Sequence, residues 1–341
     1  MRPIRHVVLA TYGEPPTPAF TAQLAYSWRI LLGLTRKVDA IPRPLLPLIA
    51  TARAHGRRRT WRAHGYSSPL EPVTAQQAMG LQALLGQTAY NIDWRVHVGY
   101  EYRTPHVADV LRGLPDDEPV WLASMYAADS AFTHQLSRDA AAGRTGPTYV
   151  LQALAPPVLG AISADHIAAL TVDPRWHGPD VALVLAAHGT VLDPPTPIET
   201  GLAATDALCA EIAQRAGGRF GLVVNGWLNH TRGGRWTEPP IEAALAAVQQ
   251  AGYTRAVYFP YGFLGDNAES QLEGRSALAA TSLTALHLPC LNDSASLLDM
   301  LRRQIDACSD VCAAGPMGRG VPSGCGRRCQ QPATSPCALC A

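Results

Sequence analysis

His188 closes a wholly apolar run, Val181–Ala187, and is followed by Gly189. That position sets an imidazole at the mouth of a cleft rather than inside a core. In its neutral form the ring can accept a proton or bind a metal; the plainer alternative is a histidine that merely ends a strand. A second apolar run, beginning at Tyr258, breaks at Pro260 and Gly262, after which come Asp266, Glu269 and Glu273. Spacings of three and four put all three carboxylates on one face of a helix, where they could conduct protons, bind a cation or simply be solvated. The third grouping is sulfur. Of eight cysteines, Cys209 and Cys290 lie alone in apolar surroundings, while Cys308, Cys312, Cys325, Cys329, Cys337 and Cys340 crowd the C-terminal end. In a reducing compartment such a cluster points to metal. The last four offer thiolates suited to a [2Fe-2S] cluster or tetrahedral Zn²⁺, and Cys308 and Cys312 are spare ligands at helical spacing.

These side chains need elements to hold them. Short β-rich runs recur at His6–Thr11, Trp94–Gly99, Val120–Ser124 and Thr148–Gln152, each followed by a turn and a helical stretch. The pattern restarts at Val181–Ala187, Gly221–Asn225, Arg255–Pro260 and Leu283–Leu288, with amphipathic stretches such as Ile241–Ala251 between. This βα alternation predicts an α/β protein of two Rossmann-like halves, each a four-stranded parallel sheet flanked by helices. Ligands of such sheets sit beyond the carboxyl ends of the strands. The first strand of each half ends in a related way, at Thr11-Tyr12-Gly13 and Ala187-His188-Gly189, so Tyr12 and His188 are expected to face one cleft from two sides. The predicted units are residues 1–172, 173–306 with the metal-handling residues, and a Cys-rich tail, 307–341. The Pro- and Arg-rich stretch Ile41–Ser68 reads as a lid-like insertion ahead of a helix.

Composition narrows the partners. The chain has 341 residues, 47% of them hydrophobic, with a formal charge of +1. No basic stripe interleaved with aromatics offers a footprint for nucleic acid. The first apolar run stops at Thr11 after about four residues, too short for a secretory or membrane-spanning segment, so a cytoplasmic protein without a transmembrane segment is expected. The Gly-, Pro- and Cys-rich tail cannot bury a core and needs a metal or a partner to order it.

Several of these motifs, in the same order, resemble the ferrochelatase family. The apolar strand ending in Ala-His matches Ala186-Ala187-His188-Gly189, and Pro-x-Gly-Phe-x-x-Asp-His-x-Glu matches Pro260-Tyr261-Gly262-Phe263-Leu264-Gly265-Asp266-Asn267-Ala268-Glu269. A Gly-Trp pair and a Trp-x-x-Pro element are echoed by Gly226-Trp227 and Trp236-Thr237-Glu238-Pro239. In the first half, Tyr12-Gly13-Glu14-Pro15 matches the Tyr-Gly-x-Pro turn, and Ser68-Pro69-Leu70 with Thr74-x-x-Gln77-Ala78 matches a Ser-Pro-Leu and Thr-x-x-Gln-Ala element; Leu291-Asn292 precedes the last helix. The resemblance spans about residues 5–305. Asn267 stands where the family usually has histidine, Gly189 where serine is common, and the segment after Ser124 is only a loose match.

The resemblance implies insertion of Fe²⁺, a substrate, into a porphyrin. A free-base porphyrin loses two pyrrole protons as its N₄ plane receives a dication, so the pocket needs a base near the ring centre and carboxylates to carry protons away. His188 and Glu269 take the catalytic and metal-handling roles, with Glu273 and Asp266 as relay. Tyr12, Arg29, Ser68, Tyr126 and Trp236 are the expected substrate contacts. The Tyr12-Gly13 turn resembles that of coproporphyrin III-using members more than protoporphyrin IX-using ones. Some family members carry a [2Fe-2S] cluster after the last helix, where Cys325, Cys329, Cys337 and Cys340 stand; the spacing differs from the best-known arrangement, and Tyr126–Ser130 lacks the first-half cysteine of animal members. The expected protein partner is a haem acceptor or the next enzyme of the pathway. Two other classes stay open: a chelatase for Co²⁺ or Ni²⁺ and another tetrapyrrole, and a non-catalytic haem- or Fe–S-binding relative.

Overall fold

The computed structural model describes residues 2–37, 42–87, 91–194, 196–229 and 235–313; the predicted ligands Cys325, Cys329, Cys337 and Cys340 lie outside the described residues. The first half runs β1 (Ile4–Thr11), α1 (Phe20–Lys37), α2 (Leu46–Ala63), α3 (Leu70–Gly86), β2 (Asp93–Tyr100), α4 (Val107–Arg112), β3 (Val120–Ser124), α5 (His134–Ala142), β4 (Thr148–Val150) and α6 (Pro156–Leu170). The second runs β5 (Gly178–His188), α7 (Leu202–Ala216), β6 (Phe220–Leu228), α8 (Ile241–Gln250), β7 (Arg255–Phe259), a π-helical turn (Ala268–Glu273), α9 (Gly274–Ala279), β8 (Thr284–His287) and α10 (Ala295–Ala313).

The two four-stranded sheets share one topology, β2-β1-β3-β4 and β6-β5-β7-β8, with every described strand pair parallel. In each sheet the chain departs from the first strand in both directions, so the carboxyl ends of β1 and β5 are the switch points at which such sheets open a crevice. The alternation between two buried faces explains the near-continuous apolar strands: Val7–Ala10 and Val181–Ala187 are almost wholly inaccessible.

One apolar cluster joins the halves. Val7, Leu9 and Trp121 of the first sheet belong to the same buried core as Leu183, Leu185 and Phe259 of the second, with Leu159, Ile162, Leu208, Ile212, Leu297 and Leu301 between. Helix α10 returns to pack on α3, where a side chain in place of Gly80 would meet Leu298 Cδ1 at 2.6 Å. Among the described residues no helix is long and apolar enough to cross a membrane.

The stretch expected as a lid-like insertion is mostly helix. Pro42 and Pro44 lie at a short 3₁₀ turn, Arg43–Leu45, and Pro47 falls in the first turn of α2, where a missing N–H costs nothing. Leu46, Ala50, Ala54 and Trp61 then form a buried stripe, carrying Arg57 inward with it.

Candidate active site

His188 ends β5 at the second switch point, with 49% of its side chain exposed to the cleft. Its Nδ1 lies 2.7 Å from Glu269 Oε2. Because a carboxylate can only accept, this contact places the proton on Nδ1 and leaves the Nε2 lone pair free. Burial pulls the imidazole down, yet the charge and hydrogen bond of Glu269 outweigh it and hold His188 above the usual histidine range. Burial in turn pushes the Glu269 carboxyl up, and His188, with Arg57 and Arg53 behind it, brings it below the ordinary value. Asn229 Nδ2 donates to Glu269 Oε1 at 3.0 Å. Asn229 does so from a left-handed backbone position, φ 56°, at the end of β6, a conformation uncommon outside glycine and tolerated best by asparagine.

Glu269 reaches His188 through local geometry. Gly262 lets the turn after β7 press against β5; a Cβ there would meet Ala187 Cα at 2.8 Å. The π-helical turn is capped by Asn267, whose Oδ1 accepts from Glu269 N at 2.9 Å and Ser270 N at 3.1 Å, while Ser270 Oγ accepts from Asn267 N at 3.0 Å. Asn267 therefore holds the backbone of Glu269 from the position where the family usually has histidine. Short π segments are rare and often mark functional sites.

The carboxylates expected on one helix face divide. Asp266 precedes the cap and turns away: Oδ1 accepts from Cys290 N at 2.8 Å and Oδ2 from Asn292 Nδ2 at 3.0 Å, while Asn292 Oδ1 accepts from Asp266 N at 2.9 Å. Gln77 Nε2 donates to Asn292 O at 2.8 Å. Three motif residues thus brace the loop, and both oxygens of Asp266, expected as a relay, are engaged in that bracket. Glu273 stays in the field of the pair. Burial first, then the Glu269 charge, pushes its carboxyl up to about 8, so near neutral pH Glu269 is ionised and Glu273 mostly protonated.

Tyr12 follows β1 at the first switch point, its hydroxyl donating to Glu14 Oε2 at 3.2 Å and its ring 6.3 Å from that of Tyr26. Burial raises the phenol well above its usual range, and the charges of Glu14 and, more weakly, Glu269 add to it. Ser68, expected as a ligand contact, is buried: its hydroxyl donates in a short bond to Glu14 Oε1 and accepts from Leu70 N at 3.1 Å. Arg29 Nη1 donates to Tyr102 O at 3.3 Å, and Arg29 lines a cavity of about 350 Å³ with Glu101, Tyr102, His106 and Phe132. Tyr126 has its hydroxyl buried without a hydrogen-bond partner, beside a small void next to Leu264 and Leu301. Trp236 bridges to Val191, pinning the segment after His188.

Glu14, Arg53, Arg57 and Asn229 were not anticipated. For the arginines the signal was present in the Ala50 and Ala54 spacing on the helix that carries them; for Glu14 and Asn229 no local pattern points to a site.

The ferrochelatase family profile matches residues 5–307. This chain belongs to the ferrochelatase family. It is 26% identical over 223 residues to the coproporphyrin III ferrochelatase of Geobacillus kaustophilus (strain HTA426), covering 61% of this chain and 69% of that protein. It is 26% identical over 328 residues to the ferrochelatase of Azoarcus sp. (strain BH72), covering 88% and 86%. Among solved structures, CbiX, the terminal enzyme for siroheme biosynthesis in denitrifying bacteria, aligns with TM-score 0.48 at 16% identity over 89% of this chain and 99% of that one. A multi-domain Deinococcus radiodurans protein with structural similarity to chelatases aligns with TM-score 0.49 at 16% identity, over 87% and 54%. Membership of the ferrochelatase family makes this chain a chelatase-type protein that acts on a tetrapyrrole and a metal.

Proposed function

We propose that this chain is a ferrochelatase that inserts Fe²⁺ into coproporphyrin III in preference to protoporphyrin IX. The observation that carries the reading is the 2.7 Å contact between His188 Nδ1 and Glu269 Oε2. It leaves Nε2 facing the cleft as a proton acceptor whose basicity the carboxylate raises. The two pyrrole N–H protons pass in turn to Nε2, the charge of each being balanced by Glu269, and Glu273, mostly protonated at neutral pH with its carboxyl at about 8, gives up a proton to solvent as it takes the next one. Imidazole and carboxylate hold Fe²⁺ loosely enough to give it up to an N₄ plane. The coproporphyrin preference rests on the Tyr12-Gly13 turn, which follows the carboxyl end of β1. Anaerobic incubation with Fe²⁺ and each porphyrin, followed by absorbance, tests both parts. Metallation of coproporphyrin III at the higher rate is expected; metallation only with Co²⁺ or Ni²⁺, or porphyrin binding without turnover, would reject it.

By donor chemistry Cys325, Cys329, Cys337 and Cys340 fit a [2Fe-2S] cluster, with Zn²⁺ the alternative. Anaerobically purified protein is then expected to be brown, with about two irons and two sulfides per chain, and serine at any of the four positions to bleach it. A colourless protein with one zinc rejects the cluster and leaves the chelatase reading intact.

A further inference from the structure

Glu14 comes from the first half, yet its partners are divided between the halves. The carboxylate is wholly buried, with none of its side chain exposed. Oε1 accepts from Ser68 Oγ and, across the cleft, from the backbone N–H of Ala268 at 2.9 Å; Oε2 accepts from Tyr12 Oη at 3.2 Å and lies 3.7 Å from Arg57 Nη2. Arg57 is itself fixed, its Nε donating to Gln23 Oε1 at 2.9 Å and its guanidinium lying over Tyr26 and Trp61. Ala268 is the first residue of the π-helical turn, one before Glu269. The turn's opening N–H groups at Glu269 and Ser270 are taken by Asn267, and the one Asn267 does not take is held by Glu14. An apolar contact runs in parallel, since Trp61 of α2 packs with Ala268 and Leu272.

Resting on the reading of His188 and Glu269 as the metal-insertion pair, we propose that Glu14 is a positioning residue for metal insertion: reaching from the first half, it caps the turn that carries Glu269 and so sets that carboxylate in line with His188. An accepting side-chain oxygen at the start of a helical turn satisfies an N–H that the turn itself leaves unpaired. Closure of the halves and correct aim of Glu269 are then one event, because the cap forms only when the first half stands against the second.

The test uses the full chain with Glu14→Ala, Glu14→Asp and Glu14→Gln, reading kcat and KM for Fe²⁺ insertion and, separately, amide hydrogen exchange at Ala268. Misplacement of a catalytic group by about an ångström costs on the order of 100-fold, so Glu14→Ala is expected to lower kcat about 10- to 100-fold with KM for porphyrin little changed, and to speed Ala268 exchange. Glu14→Asp, one methylene short, should show a smaller loss in both; Glu14→Gln, whose amide oxygen still accepts, should restore slow exchange and most of kcat. If the alanine variant does not fold, the Asp and Gln variants decide. An active wild type whose Asp variant matches it in kcat and in exchange overturns the proposal, as does a Gln variant as impaired as Asp. The two readings fail separately: a wild type that metallates no porphyrin ends the ferrochelatase reading, while Ala268 exchange that accelerates in Asp but not Gln still supports the cap.

Discussion

At the scale of single residues, the site depends on how two ionisable groups divide a proton. In the proposed reaction His188 must be neutral to accept from the macrocycle, and Glu269 holds its proton affinity above the ordinary 6.5. The rate of insertion, as kcat/KM, is therefore expected to rise with pH through an inflection above 6.5. Glu269→Gln removes the charge that raises the imidazole and leaves burial, which lowers it, so the inflection should move down even as the rate falls. His188→Ala should reduce kcat at least about 100-fold while fluorescence titration shows porphyrin binding nearly intact. Normal turnover in that variant would remove His188 from the mechanism.

At the scale of elements, strand ends and turns do the aiming. Gly262 allows the close approach of the turn to β5, and Asn267 makes the segment Ala268–Glu273 a capped π-helical turn. Loss of a side-chain cap costs about 1 kcal/mol, so Asn267→Ala should lower the unfolding free energy by that order in urea titrations and lower kcat more than it raises KM. Asn267→Asp, which keeps the accepting oxygen, should retain most of both. Equal stability and kcat in Asn267→Ala would show that the cap does not hold Glu269.

At the scale of the whole molecule, burial of acids ties stability to pH. Glu273 sits at about 8 in the folded chain against an ordinary 4.5. Between those values the native state binds more protons than the unfolded one, so this residue's contribution is fully present below about pH 4.5 and is lost as pH rises through about 8. Glu273→Gln removes that dependence, and urea melts are expected to show it gaining on wild type, by about 1 kcal/mol or more, at about pH 8.5 relative to about pH 5. A parallel pH dependence for both proteins would show Glu273 to be unperturbed. The shared core makes a second expectation. Leu297, Leu298, Leu301 and Ile305 of α10 are buried, so truncation after Ala313 should leave thermal stability and insertion activity largely unchanged, whereas truncation before Ala295 should prevent folding.

Local pattern alone determined a good part of this protein. Apolar runs of strand length, broken by turns and amphipathic stretches, specify parallel βα units, because a strand covered on both faces has no polar position to alternate. The order of motifs around His188 and Glu269 specified the family. What tertiary structure alone decided is which polar groups meet. Asp266 and Glu273 look equivalent at helical spacing, yet a non-α turn and the bracket with Asn292 engage both oxygens of one and leave the other beside Glu269. Ser68 reads as an open hydroxyl until Glu14, 54 residues away in sequence, is seen to accept from it. The Pro- and Arg-rich segment reads as loop because proline is a breaker everywhere except the first turn, where α2 uses it. Hydrophobic periodicity is a property of neighbours along the chain and survives in the sequence; hydrogen bonds between the halves depend on how two sheets close over one core, which no local pattern records.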